Sequence, residues 1–375
     1  MNGKIIIFGD ICPDNNYRKI FDKGSCALSE NILAEIKKAE YVVANLECPA
    51  TNETNPIVKC GPNLRAKPGD LQVLSKAGIN VLSLANNHIL DYGVDAVSDT
   101  LKACHDNGFF VFGAGKNQSE AEKPLIIEIS GKKVGFISFA EEEFNIAGQT
   151  TPGSALFDPY YSFDKITALK KDVDIVVVLY HGGIEHYVYP TPLLQKKCRK
   201  MVEVGADLVL CQHSHCIGTI ETYHEKTILY GQGNSVFGYR EGNEKWNEGL
   251  LVELDAFSSN ITFKLMKATP EGIVFADTKD EDARIDLMRK QSEILDDVTA
   301  IKDSWTTFVE ENKALYYSML LGKNRVFNKM NRILKNKLID IIYRKMKQMI
   351  TMNILRCDAH REVLITMLEE KVYGK

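Results

Sequence analysis

Short apolar runs recur along the first 275 residues, separated by stretches of helical periodicity. Lys4–Phe8, Tyr41–Ala44, Val81–Leu84, Val134–Phe139, Ile175–Leu179, Leu208–Cys211, Thr227–Tyr230 and Gly249–Leu254 are aliphatic or β-branched, which predicts strands. Most of these runs end in a polar or glycine-bearing turn. Between them, Ser29–Ala39, Gly69–Lys76, Val94–Asn107, Ser162–Lys171 and Pro192–Val204 carry the spacing of amphipathic helices. Strand–helix–strand alternation predicts an α/β layered fold with a substantially parallel sheet. Unbroken runs such as Ile175–Tyr180 predict strands covered on both faces.

The texture changes after about Asp277, with no proline and one glycine, Gly322, before the final turn. Ile285, Met288, Ile294 and Leu295, then Ile333, Leu334, Leu338, Ile341 and Ile342, recur at helical spacing. The expected organisation is therefore one domain over 1–275 and a helical C-terminal region over 276–375. Lys323, Arg325, Lys329, Arg332, Lys335, Lys337, Arg344, Lys345 and Lys347 make part of that region basic, relieved only by Asp340. A basic amphipathic helix can lie on an anionic membrane, so 323–347 is a candidate for peripheral membrane contact; a solvated helical face is the plainer alternative.

Composition narrows the class. At 45% hydrophobic, 26% charged and a net charge of -4, the chain reads as globular, and no nucleic-acid partner is expected. The apolar run at Ile5–Phe8 is too short for a signal core or a membrane span. Nine cysteines without a C-x-x-C pair read as reduced thiols, which fits a cytoplasmic chain.

Chemistry gathers at the strand ends. Asp10 follows the first strand, Asn45 and Glu47 the second, and Asn86, Asn87, His88 and Asp91 the third. His181 follows Ile175–Leu179, and His213 and His215 follow Leu208–Cys211. In an open α/β sheet the carboxyl ends of the strands line the ligand crevice. Each group alone has a plain structural reading as a helix cap or turn residue. Five strand ends bearing carboxylate, carboxamide or imidazole point to a divalent Mn, Fe or Zn site. The loop Thr51–Pro68, with Lys59, Arg65 and Lys67, is expected to border the cleft and to attract an anionic substrate. No G-x-S-x-G elbow and no Walker-type or dinucleotide-type glycine loop occurs.

The segments LANNHILDYGVDAVSDTL, DIVVVLYHGGIEH, CQHSH and TILYGQGNSVFG resemble the CapA/PgsA proteins of capsule and poly-γ-glutamate biosynthesis. Those proteins are similar in turn to calcineurin-like metallophosphoesterases. The resemblance covers roughly residues 3–255 and implies a four-layer αββα sandwich carrying two metals. It implies Asp10 and His215 on the first metal, and Asn87, His181 and His213 on the second. Glu47 stands at the position of the bridging aspartate. His88 matches the histidine that protonates the leaving group, with Asp91 placed to orient it.

Departures from the family pattern, and one position that keeps it, bear on the site. Cys12 replaces a histidine two residues after Asp10, so its thiolate is a candidate soft-metal ligand beside Asn45 as a further ligand or supporting residue. His181-Gly182-Gly183 lacks the usual tryptophan, which implies open space near the site. Glu185 keeps an acidic position from which it could orient His181 or contact substrate.

The function expected is a metal-dependent hydrolase of the metallophosphoesterase fold, acting in capsule or poly-γ-glutamate biosynthesis on an anionic polymer or a phosphate ester. The alternative is a non-catalytic, metal-bearing accessory protein that binds the polymer or the capsule synthase complex.

Overall fold

Alternate side chains of the first strand enter two different cores. Ile5 and Ile7 join one cluster of buried apolar residues, while Ile6 and Phe8 join another. A strand presents successive side chains to opposite faces, so both faces of this strand are covered. The computed structural model describes residues 3–320, 325–334 and 337–373.

Among those residues β1 (Lys4–Ile11), β2 (Tyr41–Leu46), β3 (Val81–Ser83) and β4 (Phe110–Phe112) run parallel in an eight-stranded sheet. It is completed by β13 (Asn234–Val236) and by the antiparallel β14 (Glu248–Asp255), β15 (Ile261–Thr269) and β16 (Gly272–Phe275). A six-stranded sheet holds β6 (Leu125–Ile129), β7 (Lys132–Ala140), β9 (Ile175–His181), β10 (Leu208–Gln212), β11 (Ile220–Tyr223) and β12 (Lys226–Leu229). The two-residue strands β5 (Ala114–Gly115) and β8 (Gly153–Ser154) pair separately.

Three buried clusters define the layers. The first joins the eight-stranded sheet to α1 (Arg18–Phe21), α2 (Glu30–Ile36), α3 (Pro68–Ala77) and α4 (Gly93–Asp106), through Phe21, Ile32, Ile36, Leu71, Leu74 and Val97. The second joins the other face of the six-stranded sheet to α5 (Gln118–Ala121), α6 (Ser162–Asp172) and α7 (Pro192–Glu203). Ala121, Ile166, Leu169, Cys198 and Met201 meet Val176, Val178 and Val209 there. The third lies between the sheets, where Ile5, Val43 and Val252 share a cluster with Phe136, Val177, Leu179 and Leu210. Helix, sheet, sheet, helix is the αββα sandwich expected. Burying each of these large aliphatic side chains contributes about 1.5–3 kcal/mol before conformational entropy is charged against it.

The chain divides into two compact units, Met1–Lys302 and Asp303–Lys375. The first unit includes α8 (Thr278–Ser292), which inserts Met288 into the inter-sheet cluster. Arg284 on α8 pairs with Glu248 at 3.1 Å and donates to the Ile217 carbonyl at 2.9 Å.

α9 (Val298–Leu320) starts in the first unit, with Ile301 in the helix-side cluster of the six-stranded sheet. The second unit continues with α10 (Arg325–Ile333), α11 (Lys337–Ile342), α12 (Lys345–Arg356) and α13 (Asp358–Tyr373). On α10, Val326, Met330 and Ile333 are exposed, and so are Lys329 and Arg332. Of the basic residues over 323–347, Lys323 and Lys335 lie outside the described residues. Among the described residues, no helix is long and apolar enough to cross a membrane.

Candidate metal centre

The carboxyl ends of β1, β2 and β3 in one sheet meet those of β7, β9 and β10 in the other. Gly9 makes the first contact close enough. A Cβ there would lie 2.5 Å from the Gly233 carbonyl oxygen, so only glycine lets β1 approach the chain before β13 this closely. The next residues, Asp10 and Asn234, are register partners.

Six side chains converge at this edge. Glu47 Oε1 lies 3.5 Å from His181 Nε2 and 3.8 Å from His215 Nε2. His181 Nδ1 is 3.8 Å from Asp10 Oδ1, and His181 Nε2 is 3.0 Å from Asn87 Oδ1. Two donor groups result, Glu47–His181–His213 and Asp10–Glu47–His215, with the donor atoms of each within 4.8 Å of one another. Glu47 belongs to both. Donors that each sit about 2.0–2.2 Å from one ion are spaced in this range, and mixed carboxylate and imidazole donors suit Mn, Fe or Zn.

Whether these residues fit a metal is decided by their unmet polar atoms. Glu47 is fully buried, and neither of its carboxylate oxygens has a hydrogen-bond partner; His213 Nδ1 is also unpartnered. A buried unpaired carboxylate is costly unless a cation compensates it. Burial, then the neighbouring Glu47, raises the Asp10 carboxyl to about 7. Burial first of all raises Glu47 to about 8. Burial lowers His181 and His213 to about 4 and pushes His215 down as well, so the imidazoles keep neutral lone pairs. Those are the properties of a donor set that a divalent cation relieves.

Backbone geometry supports the same reading. His213 has φ 85° and His215 φ 50°, in the left-handed region that branched and bulky residues avoid. The His213 N–H donates to Asp10 Oδ2 at 3.0 Å, and Asn234 Oδ1 contacts His215 Nδ1 at 2.9 Å, holding this turn in place. Strain of this kind persists where surrounding contacts over-determine it, commonly at functional sites.

The supporting contacts are equally specific. Asn45 Nδ2 donates to Asp10 Oδ1 at 2.7 Å and lies 3.2 Å from His181 Nδ1. Asn87 Nδ2 donates to Glu143 at 3.2 Å, which turns its carbonyl oxygen toward His181. His88 Nδ1 sits 2.6 Å from Asp91 Oδ2, leaving Nε2 4.0 Å from Glu47.

Several expectations change. Cys12 does not join the donors: it is buried in the helix-side core, where the Cys48 thiol and burial push its own thiol well up. Pairing irregularities flank Asp10 in both neighbouring ladders, so strict alternation does not carry Cys12 to the same side. Nor is the space beside Gly182 open. A Cβ there would lie 2.6 Å from Glu141 Cγ, so the Glu141 side chain fills it. Glu185 lines the cleft, while both His181 ring nitrogens already face Asn45 and Asn87.

The loop does border the cleft, through Cys60, Gly61, Pro62 and Leu64, but its cations are engaged. Lys59 is buried against Asp91 and lies 3.1 Å from His88 Nδ1. Arg65 donates to the Glu53 carbonyl and covers the Tyr92 ring, and Lys67 pairs with Asp22 at 2.7 Å. Glu143, Arg240 and Trp246 had no predicted part here. Glu143 was reachable, because Glu141-Glu142-Glu143 follows the strand Lys132–Ala140 as the other donors follow theirs.

The site now has a context among known proteins. A solved structure described as a novel phosphatase from Mycoplasma pneumoniae is 15% identical, covering 75% of this chain and 96% of that one at a TM-score of 0.44. The capsule biosynthesis protein CapA of Bacillus anthracis is 29% identical over 255 residues, 65% of this chain and 62% of that protein. The PGA biosynthesis protein CapA of Bacillus subtilis is 30% identical over 250 residues, 65% of each. The chain thus spans just under two thirds of the length of these two relatives. Residues 4–239, which hold every donor named above, match the bacterial capsule synthesis protein PGA_cap family, and the chain belongs to it.

Proposed function

We propose that this chain is a metal-dependent hydrolase acting in the production of a capsule-type anionic polymer. The observation that carries the proposal is Glu47, buried with two unpartnered oxygens where the two donor groups meet. Asp10, Glu47 and His215 would hold one divalent ion, and Glu47, Asn87, His181 and His213 a second. Such ions supply Lewis acidity and charge neutralisation at a reacting phosphoryl or acyl oxygen.

The protein's own residues do the rest. Asp91 accepts from His88 Nδ1 and fixes the ring, so that Nε2 faces the donors and can hand a proton to a leaving group. Lys59 neutralises Asp91 through the other carboxylate oxygen, beside His88 Nδ1, and keeps it oriented. Asn45 and Asn234 steady the side chains of Asp10 and His215. Both a phosphate ester and a γ-glutamyl amide suit this arrangement; membership of the capsule-synthesis family and relatives named for PGA biosynthesis favour a substrate from that polymer's pathway.

Metal analysis of the purified full chain, with Asp10→Ala and His213→Ala, tests the site. About two equivalents lost in both variants is the expected result, and no metal after reconstitution overturns the reading. A panel of phosphomonoesters, phosphodiesters and γ-glutamyl amides with Mn²⁺ then compares the parent with His88→Ala. Turnover falling about 10²–10⁴-fold in the variant supports the proton-donor role. Metal bound without hydrolysis of any member counts against catalysis.

A second reading, a metal-bearing accessory protein, is favoured by one observation in the helical unit. α10 exposes Val326, Met330 and Ile333 together with Lys329 and Arg332, a surface suited to an anionic polymer or an anionic membrane. Co-sedimentation of the full chain with polyglutamate and with anionic vesicles distinguishes the two targets, and binding to neither removes this reading.

A further inference from the structure

The cleft beside the donors, about 290 Å³, is lined by two cations, Lys59 and Arg240. Their situations differ. Lys59 is neutralised by Asp91 inside the protein. Arg240 has no carboxylate within ion-pairing distance among the described residues, and no hydrogen bond to its guanidinium. Its charge is instead supported from below, with the guanidinium carbon 3.0 Å from the Trp246 ring centre. An arginine stacked on an indole face keeps its in-plane N–H donors free to point outward.

The support is built into the loop between β13 and β14. Asn247 clamps the Arg240 backbone from both sides: its Oδ1 accepts from Arg240 N at 2.9 Å, and its Nδ2 donates to Arg240 O at 2.7 Å. Trp246 is buried and donates its indole N–H to the Gly238 carbonyl at 2.9 Å. The same aromatic patch also packs against the metal-type cluster. The Trp246 ring centre lies 4.8 Å from that of His215, and Phe237 lies 4.7 Å from the same imidazole. A single indole is therefore in contact with both the free guanidinium and a donor of the site, and all three line the same cleft.

We infer that Arg240 binds an oxyanion of the substrate, a carboxylate or a phosphate, at a subsite one group removed from the bond that reacts. The substrate class follows from the shared cleft: a molecule whose reacting ester or amide is followed nearby by a second anionic group. Repeating glutamyl units and compounds with two phosphates both meet that description. Trp246 serves as the platform, and a planar oxyanion pairs with the guanidinium edge as carboxylates and phosphates do with a fixed fork of donors. This subsite adds specificity to the hydrolase reading and rests on it only for the identity of the neighbouring centre.

The chain has two tryptophans, so a Trp305→Phe background leaves Trp246 as the single indole reporter. In that full-length background, held in chelator so that no metal competes for the anion, inorganic phosphate and a short oligoglutamate are titrated separately. Trp246 emission should change with at least one of them, with binding about tenfold or more weaker in Arg240→Gln and partly kept in Arg240→Lys. Response to phosphate alone or to oligoglutamate alone supports the subsite and names its anion. Equal affinity in the parent and Arg240→Gln, or no binding to the parent by equilibrium dialysis, overturns it. Asp10→Ala separates the two claims, because Arg240-dependent binding should survive there even though the metal is lost. Normal hydrolysis with an unchanged KM in Arg240→Gln would leave the hydrolase reading standing and remove the subsite.

Discussion

Asn45 donates its side-chain N–H to Asp10 across two adjacent strands, at 2.7 Å. The two residues are register partners in the β1–β2 ladder, so strand pairing itself brings the carboxamide to the carboxylate. The same nitrogen lies 3.2 Å from His181 Nδ1, which ties a donor of one sheet to a donor of the other. Supporting contacts of this kind typically contribute 10–100-fold to metal affinity. Asn45→Leu keeps the volume and removes the donor. It should weaken metal binding by about that factor in competition with a chromophoric chelator, with the melting temperature of the metal-free protein little changed. Unaltered affinity would show that Asn45 merely fills space.

Glu47 makes the opposite kind of prediction. Its carboxyl, raised by burial to about 8, is mainly protonated at neutral pH in the metal-free protein. Glu47→Gln therefore replaces one neutral group by another, and the metal-free variant should lie within about 1 kcal/mol of the parent. The response to metal should separate them. At a hundred- to thousand-fold excess over Kd, Mn²⁺ adds about 2.7–4.1 kcal/mol to the parent and nearly nothing to the variant. Calorimetry with and without chelator reads this directly, and equal stabilisation of both proteins would remove Glu47 from the centre.

The strands that the apolar pattern revealed are those buried on both faces, where continuous β-branched runs leave little ambiguity. Leu125–Ile129 mixes covered and exposed positions, Ile261–Thr269 is mostly half-buried with no regular alternation, and Phe110–Phe112 and Asn234–Val236 are three residues each, too short for a period. The donors stood out for a related reason: each lies at or shortly after the carboxyl end of a strand, and strand ends gather in space. Contacts that orient them depend on pairing between distant segments. Asn87 meets Glu143 across 56 residues and Asn45 meets His181 across 136, separations about which local pattern says nothing. Cys12 shows the converse. Its place at a family ligand position two residues after Asp10 made it a candidate, and the irregular register around Asp10 moves the thiol into the core.

Gly182 and Glu141 should behave as a coupled pair. Glu141 accepts from Tyr180 Oη at 2.6 Å, Lys197 Nζ at 2.8 Å and the Gly183 N–H at 3.0 Å, and so holds the turn after His181. Gly182→Ala forces a methyl group against Glu141, an overpacking that costs about 1–3 kcal/mol. Glu141→Ala removes the obstacle together with the contacts, at a similar cost. The double variant should be less destabilised than the two single changes added together, by about 1 kcal/mol. Chemical denaturation of the four proteins tests this, and strict additivity would mean that the turn relaxes away from Glu141.

The last prediction concerns pH and a site remote from the metal centre. Glu35, on α2, lies among Lys4, Lys38 and Lys264, with Lys38 at 2.9 Å and Lys264 at 3.1 Å. Burial alone would raise its carboxyl, but hydrogen bonds from the three lysines outweigh that and hold it at about 2, against an ordinary 4.5. A carboxyl depressed in the folded state stabilises the protein above its unfolded value and loses that contribution as pH falls through the folded one. The contribution is thus complete above about pH 4.5 and fades between 4.5 and 2. Glu35→Gln should cost about 1–3 kcal/mol near neutrality, since it withdraws a buried carboxylate from three ammonium groups, of which Lys4 and Lys264 keep Glu253. Urea unfolding followed by Trp246 emission, in the Trp305→Phe background, reports on the unit that contains Glu35. The gap between parent and variant should be constant from pH 7 to 5 and shrink steadily toward pH 3. A gap that holds its size at pH 3 would mean that Glu35 contributes through packing rather than through its charge.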